Sequence, residues 1–364
     1  MTGLEAREGA DMLLSGPRGR RLCLELAMDL DESIRSAVFW LGHDLDPGKG
    51  TSRVMLMAVS GEAADLPPQP APTDLITALA SLDMTRTRSD ALDRALAQSV
   101  DTSRPWQEPD GEDVLAALPE VRAALAALAQ QVMTAPATQW WRNCRQIAQW
   151  SIDWRSADDP APLSRNPAHT LSAWARGARA EEVRAEKERP RDPHATWSGT
   201  WWSFPQGTLQ SVGRVPLGLN LIEDSFGWEH ATVIPVRGVG RTYEVRGEDD
   251  WVSLCRGYPL EVRASRRHDW FRCTGQDRRW VIPDWEKVAE QWDAVHVTVL
   301  AYLSGANRAL QVDADTSTVL AGWNPDTTMW LTDAARESGP RQHWQRSDYQ
   351  ERWTRVPADL NAYP

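Results

Sequence analysis

Twenty tryptophans stand against five tyrosines and four phenylalanines in this chain, and the stretch from about Thr196 to Trp330 is rich in them. An indole carries a large apolar face and a single N–H donor, so such a stretch suits a thick core and sites that grip flat or ring-shaped ligands. A length of 364 residues leads to an expectation of two domains. An apolar share of 41% and a charged share of 25% lie in the globular range, which argues against bulk disorder.

The formal charge of −11 is unevenly spread: Met1 to Thr134 holds 12 basic and 21 acidic side chains, and the remainder holds 28 and 30. No large basic excess exists anywhere, so nucleic acid is not an expected partner. The opening residues, Met1-Thr2-Gly3-Leu4-Glu5-Ala6-Arg7-Glu8, lack a long apolar run and do not read as a secretory signal. No apolar run has the length of a membrane span. Cys23, Cys144, Cys255 and Cys273 are scattered, which reads as reduced thiols of a cytoplasmic protein. With no Cys/His cluster, HExxH or EF-hand loop, no metal is expected. Arginine outnumbers lysine 37 to 3, and alanine is abundant, a codon bias expected of a GC-rich bacterial genome.

The pattern predicts an α+β fold, with a helical N-terminal region followed by a Trp-rich, mainly antiparallel β domain with short helices. The boundaries read as a helical domain over 1–135, a connecting segment with a charged helix over 136–193, an α+β domain over 194–335 and a C-terminal tail over 336–364. Helical spacing marks Leu22 to Leu30 and Ser33 to Leu41, with Asp31 placed to cap the second. Arg53 to Val59 is a short apolar run that suits a strand or a helix. Glu112 to Met133 is helical and interrupted at Pro119. Gln149 to Trp154 alternates with the period of a strand. Ala231 to Arg237 and Thr242 to Arg246 read as a hairpin joined by Gly238-Val239-Gly240. Ala294 to Leu303 reads as one strand, with His296, Thr298 and Tyr302 on the face opposite its valines.

Three segments are candidates for chemistry. Gly16-Pro17-Arg18-Gly19-Arg20-Arg21 precedes a helix and has donors for a phosphate, but it lacks the Gly-Lys-Ser/Thr ending and reads better as a capped turn with solvated arginines. Arg263 to Arg272 is the densest polar and aromatic cluster, and its plain alternative is an exposed hairpin with an Asp–Arg network. Arg266 and Arg267 offer bidentate contacts to phosphate, His268 an acid or base near neutrality, and Trp270 a stacking face. The strand with His296 and Tyr302 is the third, and its plain reading is a hydrogen-bonded interior histidine. Ser203, beside Trp202, sits among aromatics without the Gly-x-Ser-x-Gly elbow of a serine hydrolase. Glu223-Asp224 and Glu229-His230 flank Gly227-Trp228 and offer carboxylates beside an aromatic.

The succession Thr242-Tyr243-Glu244-Val245, a helix around Asp250-Trp251, then Pro283-Asp284-Trp285 leading into Trp292-Asp293-Ala294-Val295-His296-Val297 resembles ADP-ribosyltransferase-type folds. The resemblance covers roughly Trp197 to Leu331 and rests on element order. It implies NAD held between two small sheets, with Ser203 at the middle position of that family's polar, Ser/Tyr and Glu set. Where its late Glu should stand, this chain has His296 and Thr298. The expected function is therefore binding of NAD or another small anionic nucleotide, with transfer of ADP-ribose. On this reading Trp270 and Trp202 stack the ligand, Arg266 and Arg267 meet its phosphates, Tyr302 lines the cofactor site, and His296, His268 and Ser203 carry the chemistry. The alternatives are a non-enzymatic module whose acidic helical domain docks a basic protein, and a sugar-binding site of tryptophans and carboxylates.

Overall fold

The computed structural model describes residues 3–50, 69–155, 159, 161–225, 227–348 and 352–357. The chain is an α+β fold that divides into two compact units, Met1–Ser99 with Glu108–Thr138, and Val100–Gln107 with Gln139–Pro364. The run expected from Arg53 to Val59 lies outside the described residues.

The first unit is built from α1 (Gly3–Ser15), α2 (Pro17–Leu30), α3 (Glu32–Leu45), α4 (Pro72–Ala80), α5 (Ser89–Asp101), α6 (Gly111–Ala117), α7 (Pro119–Ala124) and α8 (Ala126–Thr134). Pro17 opens α2, where its missing N–H costs nothing. Asp31 separates α2 from α3 and caps the latter by accepting from the Ser33 N–H at 2.8 Å. Pro119 ends α6 and begins α7, since the residue before a proline avoids helical geometry. Leu22, Leu24, Leu26, Ile34, Val38, Leu75, Leu96 and Leu115 are buried. Each such side chain contributes about 1.5–3 kcal/mol by leaving water.

The second unit adds α9 (Pro167–Glu188), α10 (Glu248–Gly257), α11 (Arg267–Thr274), α12 (Trp285–Gln291) and α13 (Val299–Gly305). Its strands are β1 (Ala148–Asp153), β2 (Gln210–Val212), β3 (His230–Gly238), β4 (Thr242–Val245), β5 (Pro259–Glu261), β6 (Arg279–Pro283), β7 (Ala294–Val297), β8 (Leu310–Gln311), β9 (Thr316–Thr318), β10 (Thr327–Trp330), β11 (Ala335–Glu337), β12 (Gln342–Gln345) and β13 (Thr354–Arg355). The larger sheet runs β13-β12-β3-β1-β2-β10-β7-β4, with β11 also on β3, and only β4 and β7 pair in parallel. The smaller runs β5-β6-β9-β8. Trp270 and Trp280 pack edge to face, with centroids 5.4 Å apart, in the core of the smaller sheet beside Leu260, Ile282 and Val319.

Four expectations change. β3 and β4 are not a hairpin, because β3 has β1 on one side and β11 and β12 on the other, while β4 pairs with β7. The connection is diverted by Asp293, which accepts from the Arg241 N–H at 2.8 Å. Gly240 makes the approach possible: at φ 148°, a Cβ there would stand 2.7 Å from the Asp293 Cβ. The strand expected over Ala294 to Leu303 stops at Val297. Thr298 caps α13 by accepting from the Ala301 N–H at 3.2 Å, so Tyr302 belongs to a helix and shares no strand face with His296. The described residues of the tail expected over 336–364 hold strands, since β12 pairs with β3 and β13 with β12. The alternative of an exposed hairpin over Arg263 to Arg272 gives way to a loop and α11.

Candidate functional site

The segment Gly16 to Arg21 holds carboxylates of its own unit. Arg18 is 1% exposed, donates to the Ser99 carbonyl at 2.9 Å and pairs with Asp113. Arg21 is buried among Glu25 (2.7 Å), Asp110 (2.9 Å), Glu112 and Asp113. Burial pushes the Glu25 and Glu112 carboxyls up, against the pull of Arg21. These arginines are thus neither solvated nor open to a phosphate.

The cluster around Arg266 is an interlocked structural knot. The Arg266 guanidinium meets Glu181 of α9 at 3.1 Å, while Glu182 accepts the N–H groups of Ala264 and Ser265 at 2.6 and 2.9 Å. Arg267 pairs with Asp277 and donates to the Arg191 carbonyl at 2.8 Å. His268 Nε2 lies 3.1 Å from the Asp192 carbonyl, and burial lowers its pKa. Trp270 is fully buried, and its Nε1 donates to the Trp201 carbonyl at 2.9 Å. Ser203 is likewise buried and exchanges two hydrogen bonds with the main chain of Ala321, at 3.0 and 3.1 Å. Trp202 is half-buried and stacks with Trp201, centroids 4.4 Å apart. The Tyr302 hydroxyl donates to Glu223 at 2.9 Å.

His296 lies elsewhere, on the larger sheet, at the centre of a polar row. Cross-strand partners share a face, and Ser211 pairs with Thr328, Thr328 with His296, and His296 with Glu244. Four adjacent strands, β2, β10, β7 and β4, therefore present one level of polar side chains, and Gln149 of β1 joins them from its side. The row is a directional hydrogen-bond chain. The Trp330 indole can only donate, and it donates to Ser211 Oγ at 2.8 Å. Ser211 donates to Gln149 Oε1 at 2.9 Å, and Gln149 Nε2 donates to Thr328 Oγ1 at 2.9 Å. Thr328 Oγ1 also lies 3.0 Å from His296 Nδ1. Burial lowers the His296 pKa to about 4, so the imidazole is neutral near pH 7.

Nε2 makes no hydrogen bond of ordinary geometry; the Asn143 main chain lies beside it, and Asp326 Oδ1 faces it at 3.9 Å. The Asp326 side chain is 15% exposed and, like Glu244 of the row, reaches solvent. Its backbone is left-handed (φ 57°), an uncommon geometry that aspartate tolerates. The Gly213 N–H donates to Oδ2 at 3.1 Å, and a Cβ on Gly213 would stand 2.7 Å from that oxygen, so a side chain there would make the carboxyl shift. Burial raises the Asp326 pKa to about 6, against the Gly213 hydrogen bond and Arg214, with Glu244 adding to the rise. Burial also raises Glu244, whose Oε1 accepts from the Arg145 N–H at 3.0 Å and whose Oε2 has no partner. The exposed Arg214 guanidinium lies 4.3 Å over the Trp140 ring. Arg145, in contrast, is spent on Thr242 (2.7 Å), the Gly238 carbonyl (3.0 Å) and the face of Trp330.

Sequence reasoning reached His296 but missed Asp326, Glu244, Gln149, Ser211 and Thr328. The period-two polar faces of Gln149-Trp150-Ser151 and Gln210-Ser211-Val212 were visible, whereas the strand order that unites them was not. Among the described residues no group of three His, Cys, Asp or Glu side chains is placed to hold a metal, and no helix is long and apolar enough to cross a membrane. All four cysteines are free. Comparison with family models, curated proteins and solved structures returns no match.

Proposed function

We propose that the Asp326 centre is an acid–base site for a small anionic ligand of the nucleotide class, NAD included. The carrying observation is the chain from Trp330 to His296, which ends with the imidazole Nε2 3.9 Å from a carboxyl of raised pKa. Perturbed groups of this kind gather where protons are moved. Arg214 supports the ligand class, because its exposed guanidinium lies near enough to act on the Asp326 carboxyl and can meet a phosphate.

In the reaction, Asp326 is the base, ionised above its pKa of about 6. It takes the proton of an attacking water or hydroxyl. With NAD as substrate, the nucleophile's oxygen bonds to the ribose carbon as the bond to nicotinamide breaks, and nicotinamide leaves neutral. The Gly213 N–H holds the carboxylate in place, with His296 Nε2 facing it.

Thermal-shift measurements on the full chain with NAD, ADP, ATP and sugar phosphates test the reading. At least one should raise Tm, Arg214→Ala should reduce the shift, and Asp326→Asn should abolish turnover of the ligand that binds. No shift with any of them would overturn it and favour the protein-docking alternative.

A further inference from the structure

His296 on β7 has an acidic residue toward each neighbouring strand. Asp326, just before β10, faces its Nε2 at 3.9 Å, and Glu244 of β4 is its register partner. Register partners in adjacent strands share a face, so the Glu244 side chain lies on the His296 side of the sheet. The imidazole between them is neutral near pH 7 and brings no charge to either.

The cations near Glu244 are engaged elsewhere. The Arg145 guanidinium donates to Thr242 Oγ1 at 2.7 Å and to the Gly238 carbonyl at 3.0 Å, and Glu244 Oε1 receives the Arg145 main-chain N–H instead, at 3.0 Å. Arg246 donates to Cys144 Sγ at 3.3 Å. Oε2 is buried and has no hydrogen-bond partner, and among the described residues Glu244 forms no ion pair. A carboxylate that no cation neutralises at close range acts on the titratable groups around it, and a partly buried setting strengthens that action. The groups that face Asp326 are His296, Glu244 and Arg214, and the Arg214 guanidinium is exposed to screening by solvent.

We propose that Glu244 is a positioning residue of the acid–base centre: its carboxylate, held opposite His296 and left without a counter-charge, opposes the ionisation of Asp326 and makes it a stronger base. The role rests on the reading of Asp326 as the base. It requires Glu244 to be ionised while Asp326 still holds its proton, since a neutral carboxyl exerts no such repulsion. The two carboxyls then lose their protons in a fixed order, Glu244 first.

Titration of the full chain by side-chain carboxyl ¹³C NMR tests it. In the wild type, the Glu244 midpoint should lie below that of Asp326. Glu244→Gln, whose amide oxygen can still accept from the Arg145 N–H, should lower the Asp326 midpoint by about half a pH unit or more. Glu261→Gln, which removes a carboxylate paired with Arg279 on the smaller sheet, should leave it unchanged. A residue that only shapes its strand would alter Tm and leave the Asp326 midpoint in place. A Glu244 midpoint above that of Asp326 would overturn the inference, and that measurement needs no folded variant. An Asp326 midpoint unmoved by Glu244→Gln, or moved equally by Glu261→Gln, would overturn it too. A wild-type Asp326 midpoint near 4 would instead overturn the acid–base reading on which the role rests.

Discussion

At the scale of single residues, Asp326 trades stability for a usable proton. Its pKa rises from 3.8 to about 6 on folding, so the folded chain binds more protons than the unfolded one between those values. Stability from this group is present below pH 3.8 and is lost as pH rises through 6. The full loss corresponds to about 3 kcal/mol as a ceiling. Asp326→Asn, which can still accept from Gly213, should therefore stabilise the chain by about 1–3 kcal/mol at pH 8, with the gain falling below about 1 kcal/mol by pH 4. Urea denaturation at the two pH values measures the gap. His296 has the opposite sign: its pKa falls from 6.5 to about 4, so its contribution is present above pH 6.5 and is lost as pH falls through 4. In wild type the two slopes oppose each other, and in Asp326→Asn the acid-side loss should stand out.

At the scale of elements, the site depends on strand order. Thr328 accepts from Gln149 and hydrogen-bonds His296, so Thr328→Val strands two buried groups and should cost about 1–3 kcal/mol. Gln149→Leu alone should also destabilise, but the double variant should lose less than the sum, because both break one chain. A double-mutant cycle in urea reads this, and additivity within about 0.5 kcal/mol would mean that the links do not cooperate. Helices with a polar face were legible in advance: the Asp31 cap and the Pro119 break can be read from their residues alone. The turn of β7 into α13 was not. Every residue from Val299 to Gly305 is buried, so that helix has no polar side to set a 3.6-residue period, and Val-His-Val-Thr-Val reads as strand. β12 and β13 were hidden for another reason: short strands with exposed side chains resemble a polar tail until their partners are known.

At the scale of the molecule, charge is used differently in the two units. In the first, Arg18 and Arg21 are buried against acidic side chains, and Asp113→Ala would remove a carboxylate that both arginines meet. A loss of about 3–5 kcal/mol is expected on thermal or urea unfolding. Cutting the exposed Arg35–Glu32 pair should change stability by under about 1 kcal/mol. In the second unit, arginines around Arg266 are consumed by α9 and neighbouring loops. Their density in sequence looked like anion binding because the carboxylate that answers Arg266, Glu181, lies 85 residues earlier, although Arg267 and Arg272 pair nearby with Asp277 and Asp269. His296 was legible as one member of a polar face, but its partners come from four other strands and the loop before β10.

The account centres on one titrating carboxyl. Side-chain carboxyl ¹³C NMR of the full chain, with Asp326 assigned by loss of its signal in Asp326→Asn, gives its midpoint directly. The prediction is a midpoint near 6. A midpoint near 4, the range of an ordinary exposed aspartate, would contradict it.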